Sequence, residues 1–151
     1  MATSRQRILI VDGDPDMRVF LATVLAEAGF EPTVADCTEK GLKQATNAKP
    51  ALILLDAQVP LHSGCDIYRL LKEDPVLQAI PVIMLSVLSS KTYRHYRKLE
   101  EGRVGDRLPE PDGFLGKPPE AEDLLRRIDC LLAGPTVNQD SLTETADGRS
   151  L

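Results

Sequence analysis

Five polar residues in this chain share one context: each stands at, or just beyond, the end of an apolar run. Asp12 closes RILIVD and Asp14 follows it, Asp56 closes LILLD, Ser86 closes PVIMLS, and Lys117 comes directly after DGFLG. Clustered carboxylates suit a hard divalent cation such as Mg²⁺, which takes oxygen ligands and keeps several waters. A lysine and a hydroxyl beside a metal-bound carboxylate match the needs of a phosphoryl group's three oxygens. In such company Asp56 can act as a nucleophile and accept phosphate as an acyl phosphate. The glycines form neither a GxGxxG nor a Walker spacing, so nucleotide binding has no local support. His62 and His95 lack an adjacent partner motif and read as surface residues.

The elements that must position these groups are legible as alternating patterns. Leu52–Leu55 is a continuous aliphatic run, the signature of a strand covered on both faces of a parallel sheet. Arg7–Asp12, Glu31–Asp36, Pro81–Ser86 and Asp112–Gly116 read as four more strands, the second weaker and more peripheral because of Pro32. Between them, Asp14 can cap a helix with Pro15 at its first position, and Gly29 ends it. That helix carries Met17, Phe20, Leu21, Val24, Leu25 and Ala28 as a core-facing stripe. Thr38 can cap a short second helix, and a third spans about 64–72 with Ile67, Leu70 and Leu71 inward. A fourth helix over about 88–101 has few apolar positions, 102–111 reads as a charged loop, and the last helix buries Ala121, Leu124, Leu125, Ile128, Leu131 and Leu132. Five strand–helix alternations predict an α/β domain with a five-stranded parallel sheet and helices on both faces. Right-handed crossovers put all the strand ends, and the polar residues after them, on one edge.

Bulk properties narrow the class. A length of 151 residues suits one domain, and 42% hydrophobic with 27% charged residues is ordinary for a globular protein. The net charge of −5 argues against general nucleic-acid binding. Cys37, Cys65 and Cys130 show no metal-ligand spacing and are expected to be reduced thiols of a cytoplasmic protein. No apolar run is long enough for a membrane span or a secretion signal. The expected organisation is a domain over 6–133 and a polar tail over 134–151.

Over about residues 6–133 the sequence resembles the response-regulator receiver family of two-component signalling. The features that carry the resemblance are IVDGDPD, LILLDAQVP with Pro60 and Gly64 beyond it, Ser86 in VIMLS, and the LGKP of Leu115–Pro118. The resemblance implies a flavodoxin-like sheet of order 2-1-3-4-5 and Mg²⁺-dependent phosphoryl transfer onto Asp56. The donor would be a histidine kinase or a histidine phosphotransfer protein. It further implies that Asp12, Asp56 and the Gln58 carbonyl hold the metal, and that Ser86 and Lys117 bind phosphoryl oxygens. Phe114 matches the switch aromatic whose rotamer follows Ser86. The signal would be read by a downstream protein on the face of the fourth helix, fifth strand and fifth helix, where two copies could also pair.

Two departures from the family pattern matter. Gly13 stands where a second adjacent acid usually supplies a metal ligand, which should weaken Mg²⁺ binding unless Asp14, otherwise a helix cap, reaches the ion. Roughly nine extra residues precede the fifth strand, mapping to about 102–111, a length often functional in a connection. The preceding KTYRHYRKLE is basic, and Tyr93, Tyr96 and Arg97 are candidate partner contacts. Val87, after Ser86, is expected to narrow access to the acceptor. The leading expectation is a stand-alone receiver phosphorylated on Asp56. The alternatives are a pseudo-receiver that binds partners without phosphorylation, and a phosphatase of haloacid-dehalogenase type using Asp12 and Asp14.

Overall fold

The computed structural model describes residues 5–58, 67–104 and 108–133, without the side chains of residue 96 and 100–104. Five strands form one parallel sheet: β1 (Arg7–Val11), β2 (Glu31–Ala35), β3 (Leu52–Asp56), β4 (Val82–Ser86) and β5 (Gly113–Gly116), in spatial order β2-β1-β3-β4-β5. The order is that of a flavodoxin-like fold, as expected. Chain direction reverses its progress across the sheet at β1, so the β1/β3 boundary is the topological switch point where such sheets bind ligands.

The helices are α1 (Pro15–Glu27), α2 (Thr38–Ala48), α3 (Ile67–Glu73), α4 (Ser90–Val104) and α5 (Ala121–Ala133), with one 3₁₀ turn at Leu77–Ala79. Alternation along each strand sorts the core into two layers. Leu9, Val11, Ile53, Leu55, Val82 and Met84 face Ala45, Ile67, Tyr68, Leu71 and Tyr93. Ile8, Ile10, Leu52, Leu54, Ile83 and Leu85 face Leu21, Leu25, Leu124 and Ile128 from α1 and α5. Strands β3 and β4 are buried along their whole length, which is why they read as unbroken apolar runs.

Local signals account for most boundaries. The Asp14 carboxylate caps α1 by accepting from the Asp16 amide at 3.0 Å, and Pro15 opens the helix. Gly29 follows the helix at φ 96°, a left-handed geometry costly for a side chain. Pro32 is tolerated because β2 is an edge strand. Four expectations need correction. Thr38 is the first helical residue rather than the cap; Cys37 holds the cap position, without a side-chain capping bond. Phe20 is 38% exposed, whereas Leu21 and Leu25 carry the burial of α1. In α3 the buried aromatic Tyr68 takes the place expected for Leu70, which is only half-buried. Finally, α4 continues to Val104, so part of the extra length before β5 is helix rather than loop.

Candidate functional site

At the carboxyl edge of the sheet, Asp12 follows β1, Asp56 ends β3, Ser86 ends β4 and Lys117 follows β5. The parallel register sets them side by side: Val11 lies opposite Leu55, Asp56 opposite Leu85, and Ser86 opposite Gly116. The Lys117 amide donates to the Ser86 carbonyl at 2.9 Å, which extends the β4–β5 pairing to the lysine itself. Its ammonium then reaches back across the sheet edge, 3.0 Å from Asp12 Oδ2 and 3.4 Å from Asp56 Oδ1. The Lys117–Pro118 peptide is cis.

Both carboxylates are buried, Asp12 to 1% and Asp56 to 7% exposure. Asp12 Oδ1 accepts from the Asp14 amide at 2.9 Å, and Asp56 Oδ1 accepts from the Gln58 amide at 3.0 Å. Burial, reinforced by the charge of Asp12, pushes the Asp56 carboxyl above its usual range, although the Gln58 amide and Lys117 pull the other way. Burial works to lower the Lys117 ammonium, but its bonds to and attraction by Asp12 and Asp56 outweigh that and raise it. The lysine therefore stays charged, as a fixed cation between two carboxylates.

The donor set invites a hard cation. Asp12 Oδ2 is buried and, among the described residues, accepts no well-formed hydrogen bond, the lysine ammonium being its near neighbour. Yet no group of three His, Cys, Asp or Glu capable of holding a metal occurs among the described residues. Gly13 contributes no side chain and the Asp14 carboxylate is committed to capping α1. The residues fit an oxygen-liganded ion with one carboxylate fewer than the family pattern. They fit the phosphatase assignment poorly: Asp12, its proposed nucleophile, is enclosed by the Asp14 amide and Lys117.

Ser86 is fully buried, and its Oγ accepts from the Leu88 amide at 2.9 Å, which fixes the hydroxyl at the strand end. Val87 projects outward at 67% exposure. Phe114 is half-buried and stacks obliquely on Tyr93, ring centroids 5.3 Å apart. Here the reading of Tyr93 as a partner contact is overturned: it is 4% exposed and belongs to the core. Arg97 is likewise partly enclosed. Its guanidinium donates to the Tyr93 hydroxyl at 2.8 Å and lies over the rings of Tyr68, at 5.3 Å, and Tyr93, at 5.6 Å. The Tyr96 side chain falls outside the described residues, as do His62, Gly64 and Cys65. The residue missed from sequence is Tyr68, whose hydroxyl donates to the Pro109 carbonyl at 2.7 Å. Its signal was its place between Ile67 and Leu71 on the inward stripe of α3.

The response regulator receiver domain family matches residues 8–129, and the chain belongs to that family. Among curated proteins it is similar to the phosphate regulon transcriptional regulatory protein of Klebsiella pneumoniae, at 32% identity over 84% of this chain and 52% of that protein. It is also similar to the DNA-binding response regulator MtrA of Mycolicibacterium smegmatis, at 32% identity over 85% and 51%. The chain spans about half the length of the curated relatives it matches. The receiver domain of a signal transduction histidine kinase from Syntrophus aciditrophicus has the same fold, with TM-score 0.70 and 27% identity over 94% of this chain and 99% of that one. A receiver domain of a sensor histidine kinase from Pseudomonas aeruginosa, with magnesium coordinated in its active-site cleft, matches in fold at TM-score 0.72 and 19% identity, over 87% and 100%. Among the described residues no helix is long and apolar enough to cross a membrane.

Proposed function

We propose that this domain accepts a phosphoryl group on Asp56 from a phosphohistidine of a histidine kinase or phosphotransfer protein. The observation that carries the reading is the Lys117 ammonium placed between the buried carboxylates of Asp12 and Asp56. In the transfer an Asp56 carboxylate oxygen attacks phosphorus, the N–P bond of the donor histidine breaks, and an acyl phosphate forms. Among the described residues, the contacts of Asp56 fall on Oδ1, which makes Oδ2 the attacking atom. Lys117 offers a charge-assisted donor to the incoming oxygens, and the Ser86 hydroxyl a second donor at the end of the neighbouring strand. Asp12, Asp56 and the Gln58 carbonyl would hold Mg²⁺, which when bound neutralises charge on the transferring group.

Phosphorylation then alters the packing of Phe114, and the altered surface is read by a protein partner. The test is intact mass after incubation with Mg²⁺ and acetyl phosphate or phosphoramidate. A single phosphoryl adduct is expected, lost in Asp56→Asn. Adduct persisting in that variant would move the acceptor elsewhere. A second reading is favoured by one observation, the absence of a carboxylate at Gly13 together with the commitment of Asp14 to its cap. In that reading the domain binds partners without phosphorylation, and no adduct forms at any Mg²⁺ concentration.

A further inference from the structure

The extra residues before β5 are tied to the body of the domain at a particular place. Leu108 packs against the core layer that contains Tyr68 and Tyr93, and the Pro109 carbonyl accepts from the Tyr68 hydroxyl at 2.7 Å. Tyr68 is 1% exposed, and its burial pushes the phenol above its ordinary range, so it remains a donor to that carbonyl. On its other side the Tyr68 ring meets the Arg97 guanidinium, which also covers Tyr93 and donates to its hydroxyl. Tyr93 in turn rests on Phe114. A continuous chain of contacts thus runs from β5 through α4 and α3 to the 108–111 segment.

We propose that Tyr93, Arg97 and Tyr68 are positioning residues that couple Phe114 to the 108–111 segment, making that segment a second surface on which the state of Asp56 is displayed. The inference rests on the phosphoryl-acceptor reading for its trigger, but the coupling itself is a property of the packing. Tyr93 is held on two sides, its ring by Phe114 and its hydroxyl by Arg97. A dense interior does not leave a vacated volume empty, so displacement of Phe114 draws the Tyr93 ring after it. The Tyr93 hydroxyl then leaves Arg97, the guanidinium loses its seat between the two rings, and the bond that fixes Pro109 loosens. A groove of about 510 Å³ beside Phe114, bordered by Leu88, Tyr93 and Gly113, provides the space for the ring to move.

Amide exchange of Leu108 and Glu110, followed by NMR on the full chain, tests this, with intact mass recorded on the same samples. With Mg²⁺ and acetyl phosphate the two amides should exchange at least about fivefold faster, the lower end of ordinary intramolecular coupling. An adduct on Asp56 with unchanged exchange would overturn the coupling, whereas a missing adduct would instead count against the acceptor reading. Tyr68→Phe should make the amides fast at the outset and unresponsive to acetyl phosphate, with the extent of Asp56 adduct unaltered. A response retained in that variant sinks the relay. Phe114→Leu, without any phosphoryl donor, should reproduce the faster exchange; exchange at the wild-type rate would overturn the proposal independently of Asp56 chemistry.

Discussion

Asp56 and Lys117 illustrate how much a few atoms at a strand end decide. In the folded protein the pKa of Asp56 stands above the ordinary carboxylate value of 3.8, chiefly through burial. Stability contributed by the protonated group is therefore complete below the unfolded value and is lost as pH climbs through the folded one. Asp56→Asn removes that loss and is expected to raise stability at pH 7 by about 1–2 kcal/mol, with little change in strong acid. Urea unfolding at two pH values checks this; a variant no more stable than wild type at pH 7 would mean the carboxylate is fully compensated. Lys117 has the opposite role. Its folded pKa is raised, so its contribution is present below 10.5 and fades as pH rises through the folded value. Lys117→Met leaves two buried carboxylates facing each other and should cost about 2–3 kcal/mol, discounted for partial solvation. Adding Asp56→Asn should recover most of that loss, and additive effects in the double mutant would show the two groups to be uncoupled.

Among the elements, α2 shows how tightly the helices are set on the sheet. A Cβ at Gly41 would stand 2.9 Å from Ile67 Cδ1 and 3.1 and 3.2 Å from the Val11 methyl groups. The Ile67 terminus can swing, but Val11 is held in β1 immediately before Asp12. Gly41→Ala should therefore lose about 1 kcal/mol, the gain in helix propensity failing to cover the overpacking, and Gly41→Val about 2–3. Chemical denaturation measures both, and a stabilised Ala variant would show α2 free to move off the sheet. Helix α4 is the element least legible in the sequence. Its few apolar positions and basic character make Tyr93 a candidate partner contact, yet Tyr93 turns inward because Phe114 on β5 and Arg97 one turn on give its ring and hydroxyl partners. An amphipathic side chain such as tyrosine takes its orientation from neighbours that helical periodicity does not reveal.

For the whole molecule, the position of the charges relative to the switch point governs what the domain can bind. The net charge of −5 is offset locally by Lys117, and the carboxylates proposed to hold the ion, Asp12 and Asp56, follow β1 and end β3, the two strands that flank the switch. Gly13→Asp restores a carboxylate at that boundary. It should tighten Mg²⁺ binding about tenfold, as one added oxygen ligand to a sparsely ligated ion warrants. Titration followed by NMR of the Asp12 and Gln58 amides measures it, and an unchanged affinity would show that Asp14 or backbone oxygens already serve.

By itself the sequence determined the strands, their parallel arrangement and the edge on which Asp12, Asp56, Ser86 and Lys117 gather. Buried parallel strands must be apolar throughout, so a polar residue that ends such a run marks where the strand meets solvent. Also legible were the α1 cap at Asp14 and the edge character of β2. Only the tertiary structure decided that the lysine stands between both carboxylates and that Tyr68, Tyr93 and Arg97 form a packed cluster under Phe114. It alone anchored the extra segment through Pro109. These contacts join residues far apart in the chain, and the geometry of a cation or a ring between two partners is set by packing rather than by spacing along the sequence.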